Sequence, residues 1–200
     1  MQTFERLQRQ IAFIYEIDKV KFILRKTRLF QSDRPENDAE HSWHLAMMAI
    51  VLAEHADQEI DLFKVVKMVL MHDLVEIDAG DVFFFDQNEQ HDNRQEELEA
   101  AKRIFGLLPA DQAQEFFDLW VEFETGQTPE AQFARVMDRL EPMLQNASNQ
   151  GGTWQEYEVD YDTVLDSKRI MIGSSTPLWE YTQQLLEECV EKGILRLKEK

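Results

Sequence analysis

The segment "LFKVVKMVLMHDLVEI", residues 62 to 77, is apolar most of the way round a helix: positions 65, 66, 68, 69, 70, 71, 74, 75 and 77 are all hydrophobic. A helix without a broad polar face belongs at the centre of a bundle, covered by other helices. Its last turns nevertheless carry His72, Asp73 and Glu76. Burying an imidazole and two carboxylates costs several kcal/mol unless something compensates them. Two compensations are available: basic side chains or hydrogen bonds from another helix, or a divalent metal ion.

Spacing favours the ion. His72 and Asp73 are adjacent, so they diverge by about 100° and approach one ion from neighbouring directions, while Glu76 falls on the same side one turn on. An ion needs further ligands, and two other apolar helices carry polar intrusions. In "DAEHSWHLAMMAIVLAEHA", a helix expected to be capped by Asp38, His41 lies one turn from Leu45 and two from Met48, on the side leading into the core. In "FARVMDRLEPML", Asp138 stands at the border of the apolar stripe, and Pro142 is expected to bend or loosen that helix.

Glycine is scarce, with 7 in the chain, and apolar residues recur at helical spacing in nearly every segment, which predicts an all-α protein with no convincing strand. The helices are expected at about 3–24, 38–57, 60–78, 89–105, 110–124, 129–147 and 177–192. Thr128 before Pro129 and Thr176 before Pro177 each place a capping hydroxyl ahead of a first-turn proline. Gly193 follows "LLEECVEK" where a left-handed residue commonly ends a helix, and "NQGGTWQEYEVDYD" reads as the longest loop. No shift in composition suggests a boundary, so residues 1–200 are read as one domain, a bundle of six or seven helices. Its site-bearing core spans about 20–145, with the helix at about 177–192 packed on it. The acidic tract "QNEQHDNRQEELEA" is read as a solvated helical face.

Thirty-nine acidic against 21 basic residues give a formal charge of −18, which disfavours nucleic acid and anionic membranes and leaves a small substrate as the natural partner. The single cysteine, Cys189, forms no intramolecular disulfide, and no apolar run approaches the ~20 residues of a membrane helix. The N-terminal stretch is broken by charges and lacks a cleavage-like site, so the chain is expected to be cytoplasmic.

Taken jointly, the isolated His41, the His72–Asp73 pair and the distant Asp138 resemble the HD-domain superfamily of metal-dependent phosphohydrolases. "RPENDAEHSWHLA" resembles the first-histidine segment. "HDLVEIDAGD" resembles the H-D-x-x-E-x-x-x-G-D segment of the small members that include the bacterial 5′-deoxynucleotidases and their eukaryotic relatives, and "MDRLEPML" resembles their last-ligand helix. The likeness covers roughly residues 20 to 145. It implies that His41, His72, Asp73 and Asp138 bind one divalent ion and that Glu76 and Asp81 assist the chemistry. The implied reaction is hydrolysis of a phosphomonoester, above all a nucleoside 5′-monophosphate, by a metal-activated water. Family habit leans to manganese or cobalt, and the ligand set is equally compatible with zinc, iron, nickel or magnesium. Small proteins of this kind commonly pair, so a homodimer is expected.

A phosphate needs cations, and "LRKTRLFQSDR" concentrates Arg25, Lys26, Arg28 and Arg34 just before the His41 helix. Arg25 and Arg28 are the phosphate candidates, each also readable as surface charge. In the resembling nucleotidases an arginine and a tryptophan precede the first histidine; here no tryptophan lies in that stretch. Trp43 and the run "VFFFD" at 82 to 86 are candidates for lining the pocket, with core or interface packing as the alternative. His44, three residues from His41, reads as a satisfied helix histidine, with a supporting partner of the site or a second-metal ligand as the alternative, and His55 and His91 read as surface residues.

Two rival readings stand. A non-catalytic metal and nucleotide sensor would not require Glu76 and Asp81. An HD-fold di-iron oxygenase would need extra histidines, and only His44, His55 and His91 remain, none with an adjacent partner. The G-Y-P element of cyclic-dinucleotide hydrolysis is lacking.

Overall fold

The chain's structure, a computed structural model, describes residues 2–83, 85 and 94–198. His91, Phe84 and Asp86, and the start of the helix expected from residue 89, lie outside them. The chain is a bundle built on three central helices. In α2 (Asp38–Leu52), Asn37 is the cap: its side chain accepts from the Glu40 amide, and Glu40 accepts from the Asn37 amide in return. This reciprocal pair releases Asp38, the expected cap, to turn inward, where it is fully buried. In α3 (Leu62–Met71), the Asp61 carboxylate accepts from the amides of Phe63 and Lys64. In α7 (Pro129–Ser148), Thr128 caps and Pro129 opens the first turn, as the sequence suggests.

α3 lies between α2 and α7 and packs on both. Leu45 and Ala49 from α2, Val65, Met68 and Val69 from α3, and Phe133, Val136, Met137, Leu140 and Met143 from α7 are all but inaccessible to solvent. α1 (Gln2–Ile17), α5 (Arg94–Phe105) and α6 (Ala110–Thr125) close one side. α6 stops where Gly126 takes a left-handed conformation.

Besides the caps, three segments differ from the sequence reading. The helix expected over about 3–24 ends at Ile17, and after a tight turn the chain forms β1 (Leu24–Arg28), antiparallel to β2 (Pro35–Asn37), so a hairpin precedes α2. "LRKTR" is too charged to show a hydrophobic alternation, yet Thr27 points inward and is buried. The helix expected over about 60–78 ends at Met71, tightens into a 3₁₀ turn at His72–Val75, and resumes as the short α4 (Glu76–Ala79). The segment read as the longest loop contains α8 (Gly152–Glu156) and the start of α9 (Tyr161–Ser167).

α10 (Thr176–Glu191) is capped by Ser175, whose hydroxyl meets the Leu178 amide, so Thr176 is the first helical residue rather than the cap. Gly193 adopts the left-handed conformation expected beyond a helix end. α9, α10 and the turn at Arg169–Met171 pack together, and both that turn and α10 rest on α7. Among the described residues no helix is long and apolar enough to cross a membrane.

Candidate metal centre

The 3₁₀ turn at the end of α3 gives His72 and Asp73 their orientation. A tightened segment inside a helical run often marks a functional site. The His72 ring Nδ1 lies 3.0 Å from the Val69 carbonyl oxygen, which makes Nδ1 the protonated nitrogen and leaves Nε2 as a lone pair. Nε2 lies 3.0 Å from Asp73 Oδ1 and 3.7 Å from Asp138 Oδ1.

His41 is arranged the same way from the opposite helix. Its Nδ1 sits 3.3 Å from Glu141 Oε2 and 3.4 Å from Glu36 Oε2, and its Nε2 sits 3.2 Å from Asp138 Oδ1 and 3.9 Å from Asp73 Oδ2. Both imidazoles thus present Nε2 to the same carboxylates; behind them His72 Nδ1 meets the Val69 carbonyl, while His41 Nδ1 faces the Glu36 and Glu141 carboxylates at ion-pair distance without a hydrogen bond to either. His41, His72 and Asp138 each aim a ligand atom at one point, all within 4.8 Å of one another.

Lone-pair nitrogens and carboxylate oxygens converge at such distances only if protons or a cation lie between them. The residues therefore fit a divalent ion: two imidazole nitrogens and two carboxylates, one of which, Asp73, is the immediate neighbour of His72. Without the ion, protons take its place. Burial alone would push His72 down, yet Asp73 and Asp138 outweigh it and raise the ring to about 9. His41 is likewise raised, burial and Arg25 being overcome by Asp138, Glu141 and Glu36. The imidazoles return the effect: burial is overcome, and Asp73 is held at about 2 and Asp138 well below the ordinary range.

Pro142 lies inside α7, one turn beyond Asp138, without interrupting it. A proline has no amide hydrogen, so the Asp138 carbonyl loses its usual intrahelical donor beside the cavity that Pro142 itself lines. That cavity, of about 230 Å³, is lined by His72, Asp73, Glu76, Asp81 and Asp138 among others. Gly80 ends α4 at φ 79° with its amide on the Glu76 carbonyl at 2.8 Å. This positive-φ conformation, which a side chain disfavours, carries the chain to Asp81 in the cavity wall and explains the glycine before it.

Glu76 is half-buried, and one of its carboxylate oxygens is shut off from solvent without a hydrogen-bond partner. Burial, then the Asp73 charge, holds it well above the ordinary carboxylate range. Asp38 faces the same cluster and is pushed up to about 6 by burial and Asp73. Arg25 neutralises part of this charge: its Nη1 lies 2.9 Å from Asp73 Oδ2 and 3.5 Å from Asp38 Oδ1.

The other sequence candidates lie elsewhere. Arg28 pairs with Glu156, Arg34 pairs with Glu40, and Trp43 is 63 % exposed; none of the three lines the cavity. Phe83 and Phe85 do line it. His44 has its Nδ1 3.4 Å from Glu141 Oε1, so Glu141 spans both histidines of α2. Sequence reasoning missed Glu36 and Glu141, both fully buried. Glu141 carried a signal, since it falls on the stripe of Met137, Leu140 and Leu144 in α7.

An HD-domain family profile matches residues 17–179. The chain belongs to the HD-domain family. Among relatives of this HD-domain protein, the human 5′-deoxynucleotidase HDDC2 is 31 % identical over 136 residues, which span 68 % of this chain and 65 % of that protein. The 5′-deoxynucleotidase HDDC2 of Dictyostelium discoideum is 32 % identical over 141 residues, 68 % of this chain and 74 % of that one. A crystal structure described as a "Predicted metal-dependent phosphohydrolase from Magnetospirillum magnetotacticum MS-1" superposes with a TM-score of 0.88 at 46 % identity, covering 96 % of this chain and 99 % of that one.

Proposed function

We propose that this HD-domain protein is a metal-dependent phosphohydrolase that cleaves a nucleoside 5′-monophosphate to the nucleoside and inorganic phosphate. The observation that carries the reading is the convergence of His41 Nε2, His72 Nε2 and the Asp73 and Asp138 carboxylates beside a cavity that Glu76 and Asp81 also line. The names of the relatives support the substrate class, and one ion per chain, manganese or cobalt, follows from the resemblance. A divalent ion held by these four residues supplies a Lewis acid for phosphoryl oxygens and lowers the pKa of a bound water.

The chain's own residues do the rest. Glu76 takes a proton from the attacking water as its oxygen bonds to phosphorus. The bond from phosphorus to the sugar oxygen breaks, and Asp81 gives that oxygen a proton. A carboxylate raised by burial, as Glu76 is, exchanges protons nearer neutrality than an exposed one. Arg25 holds Asp73 in place and adds positive charge where the phosphate enters. Glu36 and Glu141 fix the His41 ring from behind.

The pairing of two copies has a surface to use. Phe4, Leu7, Ile11 and Ile14 on α1, and Trp43, Met47 and Ile50 on α2, stand exposed at helical spacing. A second copy covering such faces makes Trp43 an interface residue, and light scattering checks it by showing twice the chain mass.

The reaction is tested with a panel of nucleoside 5′-monophosphates, diphosphates and sugar phosphates, using manganese-loaded protein and its Glu76→Gln variant. The wild type releases phosphate from the monophosphates, and the variant keeps its ion and loses most turnover. Wild-type rates in the variant would remove Glu76 from the mechanism; release from diphosphates alone would overturn the substrate class.

A further inference from the structure

The cations lining the cavity are unequally committed. Arg25 is engaged with Asp73 and Asp38, and Arg135 donates from Nη1 to the Glu124 carbonyl at 3.1 Å. Lys168 is different. It follows α9 directly, the residue is 4 % exposed, and it lines the same cavity as His72, Asp73, Glu76 and Asp138. Among the described residues its ammonium makes no hydrogen bond or ion pair, and it is not among the side-chain nitrogens sealed from solvent, so it is open to the cavity that Lys168 lines. The acids of α7 on that side, Asp138 and Glu141, are already turned to the histidines.

A lysine is almost never buried without a partner, because desolvating an unpaired ammonium is costly. Burial, with Arg139 adding to it, accordingly pushes this one down to about 7. At a cavity wall such a group is placed to meet an anion that enters, which would restore its charge. The cavity's contents on the reading above include a dianionic phosphate, whose non-bridging oxygens accept from an ammonium.

We propose that Lys168 is a substrate-binding residue that donates to a non-bridging oxygen of the phosphoryl group. The inference rests on the phosphomonoester reading and adds to the site a residue from beyond the motif-bearing stretch of about 20–145, within the 17–179 span of the family profile. The segment after α9, resting on α7, then contributes directly to substrate binding rather than only covering the core.

The test compares wild type, Lys168→Met and Lys168→Arg as manganese-loaded protein. Metal content, KM, kcat and the inhibition constant of inorganic phosphate are measured, together with direct phosphate binding by calorimetry. Lys168→Met keeps one ion per chain and folds at least as stably, since it removes an unpaired buried charge. It raises KM and the phosphate inhibition constant by about tenfold or more, as expected for loss of a charge-assisted hydrogen bond, and Lys168→Arg restores much of both. Unchanged KM and phosphate inhibition in Lys168→Met overturn the assignment while leaving the hydrolase reading intact. If the wild type hydrolyses no phosphomonoester, that reading fails, and calorimetry alone decides the anion site. Phosphate binding lost in Lys168→Met supports it, and no phosphate binding by the wild type overturns it.

Discussion

Loading the ion should expel protons, and the structure says how many. His72 is raised to about 9, so at pH 7 the metal-free chain carries the second ring proton. His41 is raised as well, while Asp73 and Asp138 are held low and are already ionised. An ion binds neutral imidazole, so it displaces one proton from each ring. The Glu76→Gln background keeps the Glu76 carboxyl, raised by burial, out of the count.

The expected release is therefore about two protons per ion, and manganese affinity should fall about a hundredfold for each pH unit lost near neutrality. Isothermal calorimetry in buffers of different ionisation enthalpy gives the count as a slope, and His72→Asn should lower it by about one. A slope near zero with tight binding would refute the reasoning: the rings would then be neutral without the ion, or would not be its ligands.

Other expectations follow from the same contacts. Asp73→Ala should abolish tight metal binding; one ion per purified chain, measured by mass spectrometry of metals, would remove Asp73 from the ligand set. Glu141→Gln takes the carboxylate from behind His41 and should weaken metal affinity by about 10 to 100-fold with the fold retained, read by metal titration and circular dichroism. In metal-free protein, the raised His72 contributes stability that is complete below its unfolded value of 6.5 and is lost as pH rises to about 9. Relative to a His72→Asn protein, in which the opposite contribution of Lys168 cancels, the metal-free stability should thus fall over that window by roughly 1.4 kcal/mol per pH unit, while the loaded protein does not follow it. Phe133→Ala, at a fully buried position of α7, should cost about 3–5 kcal/mol by denaturant unfolding.

Much of the candidate site was legible because it breaks a pattern. His72, Asp73 and Glu76 interrupt a helix that is otherwise apolar all round, and His41 and Asp138 interrupt amphipathic stripes, so periodicity alone singled them out. The same rule applied to Glu141 would have exposed it as a third intrusion. Glu36 and Arg25 were not accessible that way, since their inward direction depends on a hairpin whose charged strands carry no hydrophobic alternation. The break at His72 was hidden too: helix and 3₁₀ turn share nearly the same periodicity, and the tightening answers to tertiary packing. Asp38 was misplaced because Asn37 and Asp38 both suit a cap, and only the reciprocal Glu40 contact selects between them. Lys168 gave no signal, sitting beyond a short helix in a segment that reads as a loop.

The most direct test of the account is phosphate release from nucleoside 5′-monophosphates by chelator-stripped protein, with manganese, cobalt, zinc or magnesium added back. The account predicts no release from stripped protein, release restored by at least one ion, and none from an Asp73→Ala protein given the same ions. No release with any ion, from protein shown to hold one per chain, would contradict it.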